Sequence, residues 1–386
     1  MSKKLPIVLT TTLSLLEQFQ GALNAPPQTP ASNEPKRNDA LPLLTASSDA
    51  LKSQVTKLSL LTINTPFTPS AVCTVLSALN ESVLPSLVTA SLLVTPKEFT
   101  KAFHAEIQIL TNLTLKELAS LIGEVKTVAD KNDKERSEDP KKKEEGLSQP
   151  EKDVVTIATG RVWDSCDALI DLATKGVVGF VIRRVEQWRD LVRDAVEEIE
   201  EWDPEEDDDA FFEEMLGDDG KKGPGDGNGK DSDEEEEDDD DDDEDTALSH
   251  ANKKSALRVL KPVGQIFPAI VTNRLKNAGD KPLSSNAGVS KLEFLMTNLQ
   301  SIPEDIDEVA GALYEAKWDR YTEFLVKVKG EAAKAVELVV TQWDAGVDGQ
   351  QAEDKFTTWS KTWLKVVDEV SKSIGGDATS SKQCQS

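Results

Sequence analysis

Histidine is nearly absent: His104 and His250 are the only two in 386 residues. Metal centres built on clustered imidazoles and histidine-based general acid–base sites are therefore excluded. Cysteine is hardly commoner. Cys73, Cys166 and Cys384 form an odd, scattered set, which fits reduced thiols of the cytosol or nucleus rather than a disulfide framework. No apolar run reaches the roughly 18 uninterrupted residues that a membrane-spanning helix needs, so no membrane association is expected. Alternating β-branched stretches bounded by turn residues are missing as well. Without strands there is no strand–glycine loop–helix cradle for phosphate, and the one glycine-rich stretch, Gly220 to Gly229, is embedded in acid. These absences leave no expected catalytic residue, cofactor or metal site.

Negative charge is what the chain has in excess, and it is concentrated. Between Asp203 and Asp245 lie 25 of the 71 acidic residues and only 3 of the 44 basic ones, a net of −22 out of −27. The remainder is ordinary for a folded domain. Repelling charges with almost no apolar surface cannot offset ordering entropy, so 203–247 is expected to be a disordered acidic linker. Phe211, Phe212, Met215 and Leu216 are an apolar island within it.

Elsewhere the apolar spacing is three and four, the period of helices. Leu5, Leu9, Leu13, Leu16 and Leu23 place an amphipathic helix over 1–23, a reading preferred to a cleaved leader. Four prolines mark 24–38 as a linker. A bundle is expected over 39–202, beginning with Leu44, Leu51, Val55 and Leu58 on one face. Its third helix should kink at Pro85. Thr95-Pro96-Lys97-Glu98 has the form of a helix start, followed by Phe99, Phe103, Ile107 and Leu110. The charged stretch 131–150 is expected to be a mobile loop. Two helices follow, with Val155, Ala158, Val162, Cys166, Leu169 and Ala173 on one and Val177, Val181, Val185, Trp188, Val192, Ala195, Ile199 and Trp202 on the other. The second is a bundle seam. A further bundle is expected over 248–375, with breaks near Pro262 and Pro268, and a flexible tail over 376–386. The fold class is all-α: two helical bundles joined by the acidic linker.

Few residues invite chemistry. Asp226-Gly-Asn228-Gly-Lys230-Asp231 with Glu237 has the outline of a calcium loop. Lys230 takes a ligand position, however, and Asp231 replaces the glycine of the sharp turn. His104 is expected on a helix surface with no role. The tryptophans sit at seam or near-seam positions and are expected to pack cores and their edges. Basic clusters such as Lys141–Lys143 are small, and the overall field repels nucleic acid.

At Thr159-Gly160-Arg161-Val162-Trp163-Asp164-Ser165-Cys166-Asp167, opening a helix, the chain resembles the cyclin-D-binding protein family, also called GCIP. The second helix ending Asp194-Ala-Val-Glu-Glu-Ile-Glu-Glu, and the acidic linker followed by a helix from Leu248, agree with that family. The signature residues Thr159, Gly160, Val162, Trp163, Asp164, Cys166 and Asp167 are expected to be structural, with Trp163 completing the core. The resemblance implies bundles akin to vinculin and α-catenin and no catalytic residues. It also implies binding of cyclin D and helix-loop-helix proteins, restraint of the cell cycle, and residence in cytoplasm and nucleus. No sustained leucine zipper and no basic region are present, against direct DNA binding. Two other functions stay open: a cytoskeletal or adhesion-type helical adaptor, and an acidic, histone-chaperone-like binder of basic proteins centred on 203–245.

Overall fold

The computed structural model describes residues 4–25, 39–138, 146–205, 239–343 and 354–372. Of the described residues 88% are helical and none forms a strand, so the core is built entirely from helix–helix packing. Most of the proline-rich linker, the centre of the acidic linker, the calcium-loop outline and the C-terminal tail lie outside the described residues.

The helices are α1 (Lys4–Leu23), α2 (Ala40–Ile63), α3 (Pro69–Ala78), α4 (Leu84–Leu93), α5 (Lys101–Glu138), α6 (Gln149–Glu201), α7 (Asp239–Gly264), α8 (Ile266–Ile270), α9 (Asn286–Tyr314), α10 (Trp318–Val340) and α11 (Lys355–Ser371). They form two compact units. One comprises Met1–Val181 with Gly279–Glu293, the other Ile182–Ala278 with Phe294–Ser386. The boundary thus falls inside α6 at Val181.

In the first unit α1 packs on α3 and α5, and α2 on α3 and α4. The expected apolar faces are the ones buried. Leu5, Leu9, Leu16 and Leu23 of α1, and Leu44, Leu51, Val55 and Leu58 of α2, are all in the core. Each such side chain, fully buried, contributes about 1.5–3 kcal/mol. Pro69–Leu93 is long and apolar enough to cross a membrane by composition, yet half of its most apolar window is buried. Val72, Leu76, Leu79, Leu84 and Leu87 are core residues of this unit. The core is also unusually rich in hydroxyls. Thr12, Ser47, Thr62, Thr111 and Thr159 are buried, and each donates to the carbonyl four residues earlier at 2.7–2.9 Å. That back-bonding satisfies each hydroxyl proton within its own helix. Two of the oxygens also reach other elements: Thr12 Oγ1 accepts from Asn80 at 2.9 Å and Thr111 Oγ1 contacts Ser91 Oγ at 3.2 Å.

Proline positions act through the hydrogen bonds they remove. Pro85 follows a π turn, Leu79–Val83, which absorbs the carbonyl that the ring leaves unpaired. Pro268 likewise precedes a π turn at Val271–Leu275. Pro303, by contrast, stays inside the continuous α9.

Three elements depart from the sequence reading. The α5 start is capped by buried Thr100, whose Oγ1 accepts the Phe103 N–H at 3.2 Å. Thr95 instead closes a separate turn, its carbonyl accepting from Phe99 N at 3.0 Å. Helix α5 also continues past Asp130 to Glu138, because Lys, Asp, Glu and Arg are adequate helix formers once a long helix is nucleated. Lys131 Nζ there meets Glu151 at 2.6 Å. Finally, α7 begins at Asp239, where acidic residues suit the first turns of a helix.

The seam of α6 is interrupted once. Gly176 has φ 64° and ψ −171°, a conformation costly to any residue with a Cβ. It separates the two expected faces, both of which are buried apart from half-exposed Trp188 and Trp202. In the second unit α10 contacts α11, α7 and α8, and α11 contacts α7. Chain reversal after α9 uses Ala316 at φ 52°. Lys317 N bonds to Ala312 O at 2.8 Å and Ala316 N to Leu313 O at 3.3 Å, the pattern of a Schellman cap with alanine where glycine is usual.

Candidate interaction surface

The signature segment of α6 splits into an inner and an outer half. Thr159, Val162, Ser165 and Cys166 are buried. The Ser165 hydroxyl donates to Val162 O at 2.9 Å. Burial pushes the Cys166 thiol up to about 12, with the nearby Lys52 charge opposing. Cys73 is likewise buried and raised by desolvation. Neither thiol can offer a thiolate near neutrality.

Gly160 is half-buried, while Asp164 and Asp167 are exposed. Asp167 forms an ion pair with Lys52 of α2. Trp163 is 39% exposed, which corrects its expected place in the core. On the helical wheel it lies four residues after buried Thr159 and three before buried Cys166, at the edge of the buried arc rather than within it. The signature therefore pins α6 to its own unit through Val162 and Cys166 and leaves the indole at the rim.

Larger apolar side chains stand out on α5. Ile109 is 62% exposed and Leu113 40%, one turn apart, and Ala102 and Ala105 continue the same outward face. Lys101 and Lys116, both exposed, flank it. The opposite face of the helix is fixed by Phe103, which stacks with Phe99 at 5.8 Å and meets Phe180 edge-on at 5.6 Å. The outward stripe is thus held in a rigid register. On α6, Val154 and Ile157 are also exposed. His104 is half-buried, and its Nδ1 contacts the carbonyl of Val94. This ties α5 to the end of α4.

The second unit contains a buried charge that sequence reasoning did not single out. Arg274, 4% exposed, donates to Asp354 at 2.7 and 3.1 Å and to the carbonyl of Val340 at 2.9 Å. Its Nε reaches Val339 O, and the guanidinium carbon lies 4.4 Å from the Phe356 ring centroid. Asp354 also accepts from Thr357 N at 2.8 Å, capping α11. The Arg274 guanidinium, together with the Thr357 and Gln342 donors, holds this carboxyl well below the usual carboxylate range. Trp343 Nε1 donates to Arg274 O at 2.9 Å, and Trp363 Nε1 to Pro262 O at 2.8 Å. Of the tryptophans only Trp363 is buried outright. A pair 80 residues apart leaves no local spacing to read. The only signal was a lone arginine on an otherwise apolar face.

Among the described residues no group of three or more His, Cys, Asp or Glu is placed to hold a metal ion. Residues 43–205 match the family model described as Grap2 and cyclin-D-interacting, N-terminal. No curated protein matches the chain.

Proposed function

We propose that this chain, whose residues 43–205 match the Grap2 and cyclin-D-interacting N-terminal family model, is a non-enzymatic regulator that works by binding other proteins. Its partners on this reading are a D-type cyclin and helix-loop-helix factors, and its action restrains the cell cycle in cytoplasm and nucleus. The family match is the observation that carries the proposal. Physically it is supported by a scaffold with two inert buried thiols and a rigid helix presenting apolar anchors. The Ala102–Ala105–Ile109–Leu113 stripe suits a partner helix lying along α5, in the manner of helix-to-helix recognition. Large side chains on such a stripe dominate the binding energy, and a charge placed there costs about 2 kcal/mol or more.

The test is binding of the immobilised full chain to a purified D-type cyclin. Saturable binding is expected, and Ile109→Asp with Leu113→Asp should weaken it while leaving the helical circular dichroism unchanged. Failure of the wild-type chain to bind the cyclin overturns the partner assignment. Equal binding by the double variant overturns the surface. Retention of histones instead, lost on deleting 203–245, would favour the acidic-chaperone reading.

A further inference from the structure

The sequence contains four Thr-Pro dipeptides, at Thr29, Thr65, Thr68 and Thr95, and the described residues distinguish three of them. Proline after a phosphoryl acceptor supplies no backbone N–H, so only kinases that ask for no donor there accept it. Access then decides which threonine can react. Thr95 is half-buried, whereas the carbonyls of Thr95 and Thr68 are both engaged by the helical turn that follows and do not separate them. Thr65 is exposed, but its Oγ1 lies against Gly146, where even an added Cβ would come within 2.8 Å. Thr68 is exposed, with extended backbone at φ −111° and ψ 92°. Its hydroxyl makes no capping bond to α3 and only a 3.2 Å contact to the Pro66 carbonyl. The preceding Phe67 is 5% exposed and anchors the loop, so the threonine is presented at a fixed place.

We propose that Thr68 is a phosphorylation site for a proline-directed protein kinase. In the transfer, the kinase's general base takes the Thr68 hydroxyl proton and Oγ1 bonds to the γ-phosphorus of ATP. The bond from that phosphorus to the bridging oxygen breaks, and ADP leaves. The product places a charge of about −1.5 to −2 at the start of α3, whose first turn carries no acidic residue. Negative charge is favoured there by the helix dipole. The modification would therefore leave the bundle folded while giving its loop end a strong anionic feature. It does not depend on which partner the chain binds.

The experiment uses the full chain, a purified proline-directed kinase and radiolabelled ATP, with peptide mapping of the product. Label is expected on Thr68 of the native chain. Thr68→Val should lose it, Thr68→Ser should keep it, and Thr65→Val and Thr95→Val should not change it. The valine variant should fold normally, since the hydroxyl caps nothing, and matching circular dichroism verifies this. Label confined to Thr29, Thr65 or Thr95 overturns the proposal. So does a Thr68 that is labelled only after heat denaturation, or not at all.

Discussion

Replacing Arg274 by methionine keeps the apolar stem and removes the guanidinium. Asp354 then loses its ion pair, and the carbonyls of Val339 and Val340 lose a donor. Breaking a fully buried pair from one side costs about 3–5 kcal/mol. The Asp354 side chain retains 27% exposure, so water recovers part of this, and roughly 3 kcal/mol is the expected loss. At about 2–4 °C per kcal/mol for a unit of this size, melting should fall by roughly 6–12 °C. Tryptophan fluorescence is the assay, because every tryptophan except Trp163 lies in the second unit. Asp354→Asn retains a capping side chain but leaves the Arg274 guanidinium, 4% exposed, without its counter-charge, so it should cost at least as much, about 3–5 kcal/mol. The double variant should cost clearly less than the two losses added. Acid provides an independent check. Asp354 is depressed in the fold, so its contribution is complete above its unfolded value of about 3.9 and is lost as pH falls below it. Wild type and Arg274→Met should therefore converge in stability in acid. Additive losses, a cost under about 1 kcal/mol, or a pH-independent difference would refute the clasp.

Trp163→Ala should cost about 1 kcal/mol, below the 3–5 kcal/mol of a buried indole, because the ring is 39% exposed; chemical denaturation followed by circular dichroism measures it. Ala316→Gly should stabilise the second unit by up to about 1 kcal/mol by relieving the positive φ, seen as a higher fluorescence melting point. Cys73 and Cys166 should stay unmodified by a thiol reagent at mildly alkaline pH until the chain is unfolded, as mass spectrometry of the modified peptides would show.

The helices were legible because apolar spacing is a local property. Leu44, Leu51, Val55 and Leu58, or Val155 through Ala173, need only their neighbours in sequence to declare a face, and those faces are buried. The division into two faces, Val155 to Ala173 and Val177 to Trp202, was readable for the same reason, and Gly176 falls between them. Trp163 was misplaced because its spacing to Thr159 and Cys166 is compatible with both the centre and the rim of the buried arc. Only the packing of α2 beside Asp167 separates the two. Thr100 escaped notice as a cap because no Glu or Gln stands three residues on, whereas Thr95 carries Glu98 in that place. The 131–138 stretch shows the opposite error: composition suggested a loop, but α5 was already long enough to propagate through charged residues. Exposure at Ile109 and Leu113 is likewise invisible to periodicity, which registers a hydrophobic side chain but not whether another element covers it.

The Arg274 clasp has one more consequence, for how the chain can be cut and rejoined. A single guanidinium grips the last carbonyls of α10 and the capping carboxylate of α11, so the two ends of the intervening segment are fastened to each other at its base. Loop-closure entropy, which grows only slowly with length, is then offset by bonds that do not involve the segment itself. A backbone cut made between residues 343 and 354 should therefore leave both helices seated. The same position is the natural place to graft a foreign peptide or reporter without disturbing the bundle.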